Sequence, residues 1–282
     1  MSIQTVTLLS DWGIADHYAA VVRGKLLSFM PGANVVDISH MVPRNDIYAA
    51  AYMAFDTYPY FPEGSIHIIG VDDIASPQAP HLVVRFDNHF FIGADNGFFS
   101  VLQAITGRNA QEIYEIERVY QESDVFTFPA RDLFPKVAAL LAAGTPFSEI
   151  GPAVQLRFKM LDGGIFLQRV AEKDREGNVI GLRLSGRVLH VDGFGNIVTN
   201  VTKTQFDACL KAYPFAELSV GWKVLDGSFA KAYMDVPEAD QAFIFLENGF
   251  LEISVNRDNM AKLRGLNKNA KVNLRFGQKN KK

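Results

Sequence analysis

Apolar positions change rhythm twice along this chain. Over residues 3–71, short runs rich in β-branched residues alternate with longer stretches whose apolar side chains recur every three or four positions. Residues 3–9, 35–38 and 66–71 read as strands, and residues 18–30 and 47–57 as helices. Asp16 and the Asn45-Asp46 pair stand where helix caps belong, and Pro31-Gly32 and Pro59 close the two helices. Strand, helix, strand, helix, strand at this spacing predicts parallel βαβ units with right-handed crossovers. A hairpin over 82–86 and 89–92 follows, turning at Asp87-Asn88. Residues 98–105 read as a helix, 112–119 as a strand, and 133–143 as an apolar helix begun by Pro129 and Asp132.

From 151 to 182 the pattern turns polar and irregular. Beyond it strands dominate: 187–191, 197–201, 216–220, 231–234, 242–246, 250–255 and 270–276, interrupted by one helix over 203–213. Short strands with glycine turns predict a small barrel or sandwich. The expected fold is an α/β N-terminal domain with a mainly parallel sheet (1–165), a linker (166–182), and a C-terminal all-β, barrel-like domain (183–282).

Composition narrows the function classes. A chain of 282 residues that is 48% hydrophobic and 21% charged is long enough for two cores. A net charge of −3 with no basic block argues against a nucleic-acid partner. The single cysteine, Cys209, excludes an internal disulfide and a thiolate cluster, and reads as a small buried hydrophobe. No apolar run approaches the roughly 20 residues of a membrane span, and the N-terminus reads as a strand rather than a signal peptide, so the expected location is the cytoplasm.

The chemistry collects at the strand ends, where open α/β sheets bind ligands. The first strand ends in Ser10-Asp11-Trp12-Gly13 with Asp16 following, the second in Asp37-Ile38-Ser39-His40, and the third in Asp72-Asp73. Any one acidic end serves as a helix cap. Three together line a cleft with carboxylates, an arrangement that is costly without a compensating ligand. In the C-terminal half, Asp192-Gly-Phe-Gly-Asn196 sets a carboxylate, an aromatic and a carboxamide on a tight turn between two strands. A polar hairpin tip accounts for it as well as a site for a cation and a flat polar ring does.

Taken in order, Ser10-Asp-Trp-Gly13 with Asp16, Asp37-Ile-Ser-His40, Val71-Asp72, Asp95-Asn-Gly97, Phe128-Pro-Ala-Arg-Asp132, Asp192-Gly-Phe-Gly-Asn196 and Asn248-Gly-Phe-Leu-Glu-Ile253 resemble the S-adenosyl-L-methionine hydroxide adenosyltransferase family, which includes the fluorinase and chlorinase. The resemblance implies an α/β domain, a C-terminal β-barrel and a homotrimer whose sites lie between subunits. S-Adenosyl-L-methionine is then the substrate, with no cofactor and no metal: water attacks the ribose 5′ carbon, giving adenosine and L-methionine. By position, Asp11 would hold the ribose hydroxyls, flanked by Phe128 and the Ala130 backbone. Asp16 and Asp192 would meet the methionine end, with Asp192 on its ammonium. Phe194 and Asn196 would contact adenine, Glu247 and Asn248 would fall at the methionine-carboxylate turn, and Asp72 would be the catalytic carboxylate.

The chain departs from the family pattern around that carboxylate. The family's water-activating set is Asp-Arg-His, but its Arg falls near Ala79 and its His at Pro129. His81, Arg85 and Arg131 are candidates to substitute. Glu247 would repel a carboxylate. Two other readings follow: a non-catalytic nucleoside-binding protein on the same scaffold, and a phosphohydrolase holding Mg²⁺ on Asp11, Asp72 and Asp73.

Overall fold

The computed structural model describes residues 4–117, 127–158, 167–266 and 270–277. The chain divides into two compact units, Met1–Met160 and Leu161–Lys282.

The first unit holds a six-stranded mixed sheet. Its strands are β1 (Thr5–Ser10), β2 (Asn34–Ser39), β3 (Ile66–Gly70), β4 (His81–Phe86), β5 (His89–Ala94) and β6 (Glu112–Glu115), in the order β2-β1-β3-β5-β4-β6. The pairs β1–β2, β1–β3 and β3–β5 are parallel; β4 runs antiparallel to β5 and β6. All of β1 is buried, as a central parallel strand covered on both faces must be. Val6 and Leu8 join Ile66, Ile68 and Val83 in a core completed by Val22 and Leu26 of α1 (Tyr18–Phe29) and Phe134 and Val137 of α5 (Phe134–Ala142). Thr7 and His67 alternate to the other face, where His67 meets Tyr58 just beyond α2 (Ile47–Thr57). Helix α3 (Phe98–Thr106) packs beside α2.

The caps differ from expectation at one helix. Asp46 caps α2, accepting from the Ala49 amide at 3.2 Å. Asp16 does not cap α1: the cap is His17, without a side-chain bond, and Asp16 stays exposed. The expected helix over 133–143 is α5 preceded by a separate turn, α4 (Pro129–Asp132), and a short α6 (Phe147–Ile150) follows. Strand β6 stops at Glu115, and positions 118–119 of the expected strand lie outside the described residues.

The second unit is a nine-stranded sheet that curls into a half-barrel. Its strands are β7 (Gln168–Lys173), β8 (Val179–Val191), β9 (Ile197–Thr202), β10 (Phe215–Val220), β11 (Lys223–Leu225), β12 (Ser228–Ala230), β13 (Gln241–Phe245), β14 (Phe250–Val255) and β15 (Lys271–Gly277). The expected linker at 166–182 is strand over 168–173 and from 179 onward: β7 pairs with the first part of β8. Polar alternation concealed it, because β7 buries little of either face. The 13-residue β8 also pairs with β15 and β9, and bulges interrupt the β8–β9, β9–β14 and β10–β15 ladders. Bulges bend a strand and raise its twist, which is how one sheet curls. The strand expected over 231–234 is instead a 3₁₀ turn, Tyr233–Asp235, because Asp235 Oδ2 accepts from the Lys231 and Ala232 amides and takes the place of a partner strand. Helix α7 (Lys203–Leu210) opens with a capping box from Thr202 and Gln205 and buries Cys209; α8 (Met260–Arg264) is capped by Asn259.

Candidate functional site

The carboxyl ends of β1, β2 and β3 come together, since β1 lies between the other two. Ser10 Oγ is hydrogen-bonded to His40 Nδ1 at 2.7 Å, and the Gly13 amide donates to the His40 carbonyl at 2.7 Å. His40 Nε2 lies 3.3 Å from Asp37 Oδ1, within ion-pair range though not aligned as a hydrogen bond, and Asp37 also pairs with Arg23. These contacts tie the loop after β1 to the end of β2. Trp12 stacks on the His40 ring at 5.6 Å and meets the edge of Phe128 at 5.3 Å; Tyr18 meets Phe128 at 5.4 Å. The result is an aromatic wall beside Asp11. Asp11 is half-buried, and its Oδ2 accepts the Asn45 amide at 2.9 Å. Ala130, at the start of α4, is fully buried. Asp16 is exposed on the loop before α1.

The two carboxylates after β3 face different surroundings. Asp72 has a positive φ of 47° and an exposed side chain. Asp73 is 8% exposed, and its buried Oδ2 has no hydrogen-bond partner among the described residues. Burial pushes Asp73 up to about 7, with the Asp11 carboxylate and then Asp72 adding to the rise. The turn that holds them is clamped: Asn96 Nδ2 donates to the carbonyls of Val71 and Asp72, both at 2.9 Å, and His81 Nε2 is bonded to the Asp73 carbonyl at 2.6 Å. Asp95, next to Asn96, is buried and accepts the Arg157 amide at 2.5 Å.

The candidates to replace the family's Arg and His separate clearly. His81 is buried, bonded to backbone, edge-on to Phe134, and held by burial at about 4, so it is neutral. Arg85 pairs with Glu112 on β6 and stands opposite Phe90, which registers with Ile66 at the amino end of β3, remote from the cleft. Arg131 lies beside the cleft, 5.7 Å over the Phe128 ring, with both ends of its fork on Asp132 at 2.6 Å. Arg157, not singled out by sequence, reaches the loop near Ala79: it donates to the Pro77 carbonyl at 2.7 Å and pairs with Glu115. Spacing places Ser10, His40 and Asp73 at the strand ends, but the Ser10–His40 bond and the burial of Asp73 come from contacts distant in sequence, which spacing does not record. Among the described residues, no three His, Cys, Asp or Glu side chains converge with metal-holding geometry.

In the second unit, Asp192–Asn196 forms the turn between β8 and β9. Asp192 Oδ1 accepts the Phe194 amide at 2.9 Å and the Asn196 amide at 2.8 Å, and Oδ2 accepts Asn196 Nδ2 at 3.1 Å. Both Asp192 oxygens therefore already serve the turn. Phe194 is left 80% exposed while Asn196 is buried. The turn borders an open cavity of about 790 Å³, whose other walls are Tyr233, Met234 and residues 255–258. Behind it Tyr233 donates to buried Glu252 at 2.8 Å; burial raises the Glu252 pKa, and Asp192 adds to the rise. Glu247 and Asn248 are not brought to this cavity. They form the β13–β14 turn, beside Lys203, whereas Asp192–Asn196 lies beyond the Ile197–Ile253 pair at the other end of the β9–β14 ladder.

The chain matches the SAM hydroxide adenosyltransferase N-terminal domain over residues 6–151 and the C-terminal domain over residues 186–273. It belongs to that family. A Thermus thermophilus protein named (R)-S-adenosyl-L-methionine hydrolase is 29% identical over 96% of this chain and 100% of its own length. The protein of the same name from Methanocaldococcus jannaschii is 28% identical over 93% of this chain and 92% of its own. A fluorinase from an Actinoplanes species is 24% identical over 89% and 90%. Among solved structures, an uncharacterized conserved protein from Thermotoga maritima superposes with a TM-score of 0.79 at 27% identity, covering 95% of this chain and 99% of that one.

Proposed function

We propose that this member of the family is a hydrolase of S-adenosyl-L-methionine, releasing adenosine and L-methionine by attack of water on the ribose 5′ carbon. The observation that carries the reading is the gathering of Asp11, Asp72 and Asp73 with the Trp12, His40 and Phe128 rings at the ends of β1–β3, in a chain similar to named hydrolases along nearly its whole length. Sulfonium is a good leaving group, so no general acid and no cofactor is required; the protein has to position water, take its proton and exclude bulk solvent.

In this reading Asp11 binds the ribose diol, with Phe128 and Ala130 flanking the sugar. Asp16 and Asp192 attend the methionine end, Phe194 and Asn196 the adenine, and Glu247 and Asn248 the methionine carboxylate. The position of the last pair on a different turn from Asp192, and the use of both Asp192 oxygens within its own turn, make these the assignments most dependent on assembly. We take the assembly to be a cytoplasmic homotrimer, with each site completed by a neighbouring subunit. Water rather than halide fits as the nucleophile, because adjacent carboxylates after β3 oppose an anion.

Pro129 and Ala79, at the family's His and Arg positions, favour one competing reading: a protein that binds adenosine or S-adenosyl-L-methionine without turnover. The test is adenosine release from S-adenosyl-L-methionine, followed by chromatography, beside calorimetric adenosine binding. Release by wild type supports hydrolysis; binding without release supports the competing reading. Asp11→Ala removes charge-assisted bonds worth about 1.5–3 kcal/mol each and should weaken adenosine by roughly one to several decades, at about 1.4 kcal/mol per tenfold. Unchanged affinity in that variant refutes the ribose assignment.

A further inference from the structure

We propose that Asp73, rather than Asp72, is the carboxylate that accepts the proton of the attacking water. This rests on the hydrolase reading above. The two residues are adjacent, so sequence position cannot separate them, but the backbone does. The left-handed φ of 47° at Asp72 turns its side chain out to solvent and breaks the alternation between neighbours. Asp73 goes inward. The turn has little freedom to rearrange, because three consecutive carbonyls, those of Val71, Asp72 and Asp73, are each held by a side chain, Asn96 taking the first two and His81 the third.

Among the described residues the Oδ2 of the inward carboxylate is buried with no donor, and the Asp11 carboxylate is near enough to repel it. A buried carboxylate oxygen without a partner is costly, and water is a ligand that satisfies it. The same burial makes Asp73 a better base than an ordinary aspartate, since its pKa of about 7 lies near neutral pH. The Arg and His that the family uses beside its carboxylate are replaced here by Ala79 and Pro129, and fixed burial of Asp73 supplies basicity without them.

The step balances. A lone pair of the water oxygen forms the O–C5′ bond as the C5′–S bond breaks. The bonding pair returns to sulfur, giving neutral methionine, and the water proton passes to Asp73.

The experiment compares wild type, Asp73→Asn and Asp72→Asn for adenosine release between pH 5 and 9, with adenosine binding and melting temperature measured alongside. Asp73→Asn should lower kcat by about 10²–10⁴-fold, the usual contribution of a general base, while adenosine affinity and folding persist. In wild type, kcat should rise with pH through about 7 and level off; the variant's residual rate should lack that limb. Asp72→Asn should lose far less and keep the limb. Three outcomes overturn the proposal: Asp73→Asn retaining wild-type rate and profile, Asp72→Asn showing the larger loss, or Asp73→Asn losing adenosine binding together with thermal stability, which marks a structural role. Absence of release by wild type is distinguishable from these, because it overturns the hydrolase reading first and the base assignment with it.

Discussion

Replacing His67 by glutamine will flatten the acid limb of the first unit's stability. His67 is 1% exposed, with Nδ1 bonded to Thr7 Oγ1 at 2.7 Å and Nε2 to His89 Nδ1 at 3.1 Å. The rings of Tyr58, Phe61 and Phe91 enclose it, and Tyr58 is itself tied to Asp87, which Arg108 pairs. Burial, and then the neighbouring His89, hold His67 down from its ordinary 6.5 to about 3. A folded-state pKa below the unfolded one means that the unfolded chain takes up a proton that the folded chain refuses. The stabilisation is complete above pH 6.5 and drains as pH falls toward 3. The slope is about 1.36 kcal/mol per pH unit, so from pH 6.5 to pH 5 wild type loses about 2 kcal/mol at this residue alone. Glutamine keeps a donor and an acceptor for Thr7 and His89 but cannot titrate. Its imperfect fit should cost roughly 1–3 kcal/mol at pH 7.5, a loss that does not grow on acidification. Asp73 runs the opposite way: its raised pKa favours the folded state below 3.8, and that advantage is lost as pH rises through about 7. It is common to both proteins and cancels. Urea unfolding at several pH values measures the difference, in a Trp222→Phe background so that Trp12 reports the first unit. Parallel stability curves for the parent and the His67→Gln variant from pH 7 to 5 would refute the reasoning.

Two glycines carry sharper steric predictions. A Cβ at Gly70 would lie 2.2 Å from the Trp12 ring, so Gly70→Ala should displace the indole from His40, cost about 1–3 kcal/mol and shift Trp12 fluorescence; an unaltered spectrum and stability would contradict that packing. Gly195 has a φ of +90° and would set a Cβ 2.1 Å from the Asn259 side chain. Gly195→Ala should open the Asp192–Asn196 turn, lower stability by roughly 1–3 kcal/mol and weaken adenosine binding, and a variant that binds and melts like wild type would remove Asn196 from the adenine contact.

Local signals in the chain determined much of this protein. Strands β1, β2, β3 and β5, the Asp46 cap, the capping box at α7 and the glycine turns follow from alternation, periodicity and capping chemistry, which act within a few residues. The gathering of polar residues at three strand ends was legible for the same reason: βαβ order alone places those ends together. The tertiary structure decided what depends on desolvation and on partners far away in sequence. Ser10 meets His40 across 30 residues, and β7 is a strand only because β8 lies beside it. The curl of the second sheet comes from bulges whose partners are set by pairing, which no local pattern records. Between Asp72 and Asp73 the chemical types are identical. One backbone angle and the burial beside it made one a solvated surface carboxylate and the other a buried carboxylate with a raised pKa, because a charge is priced by its surroundings and a sequence does not contain them.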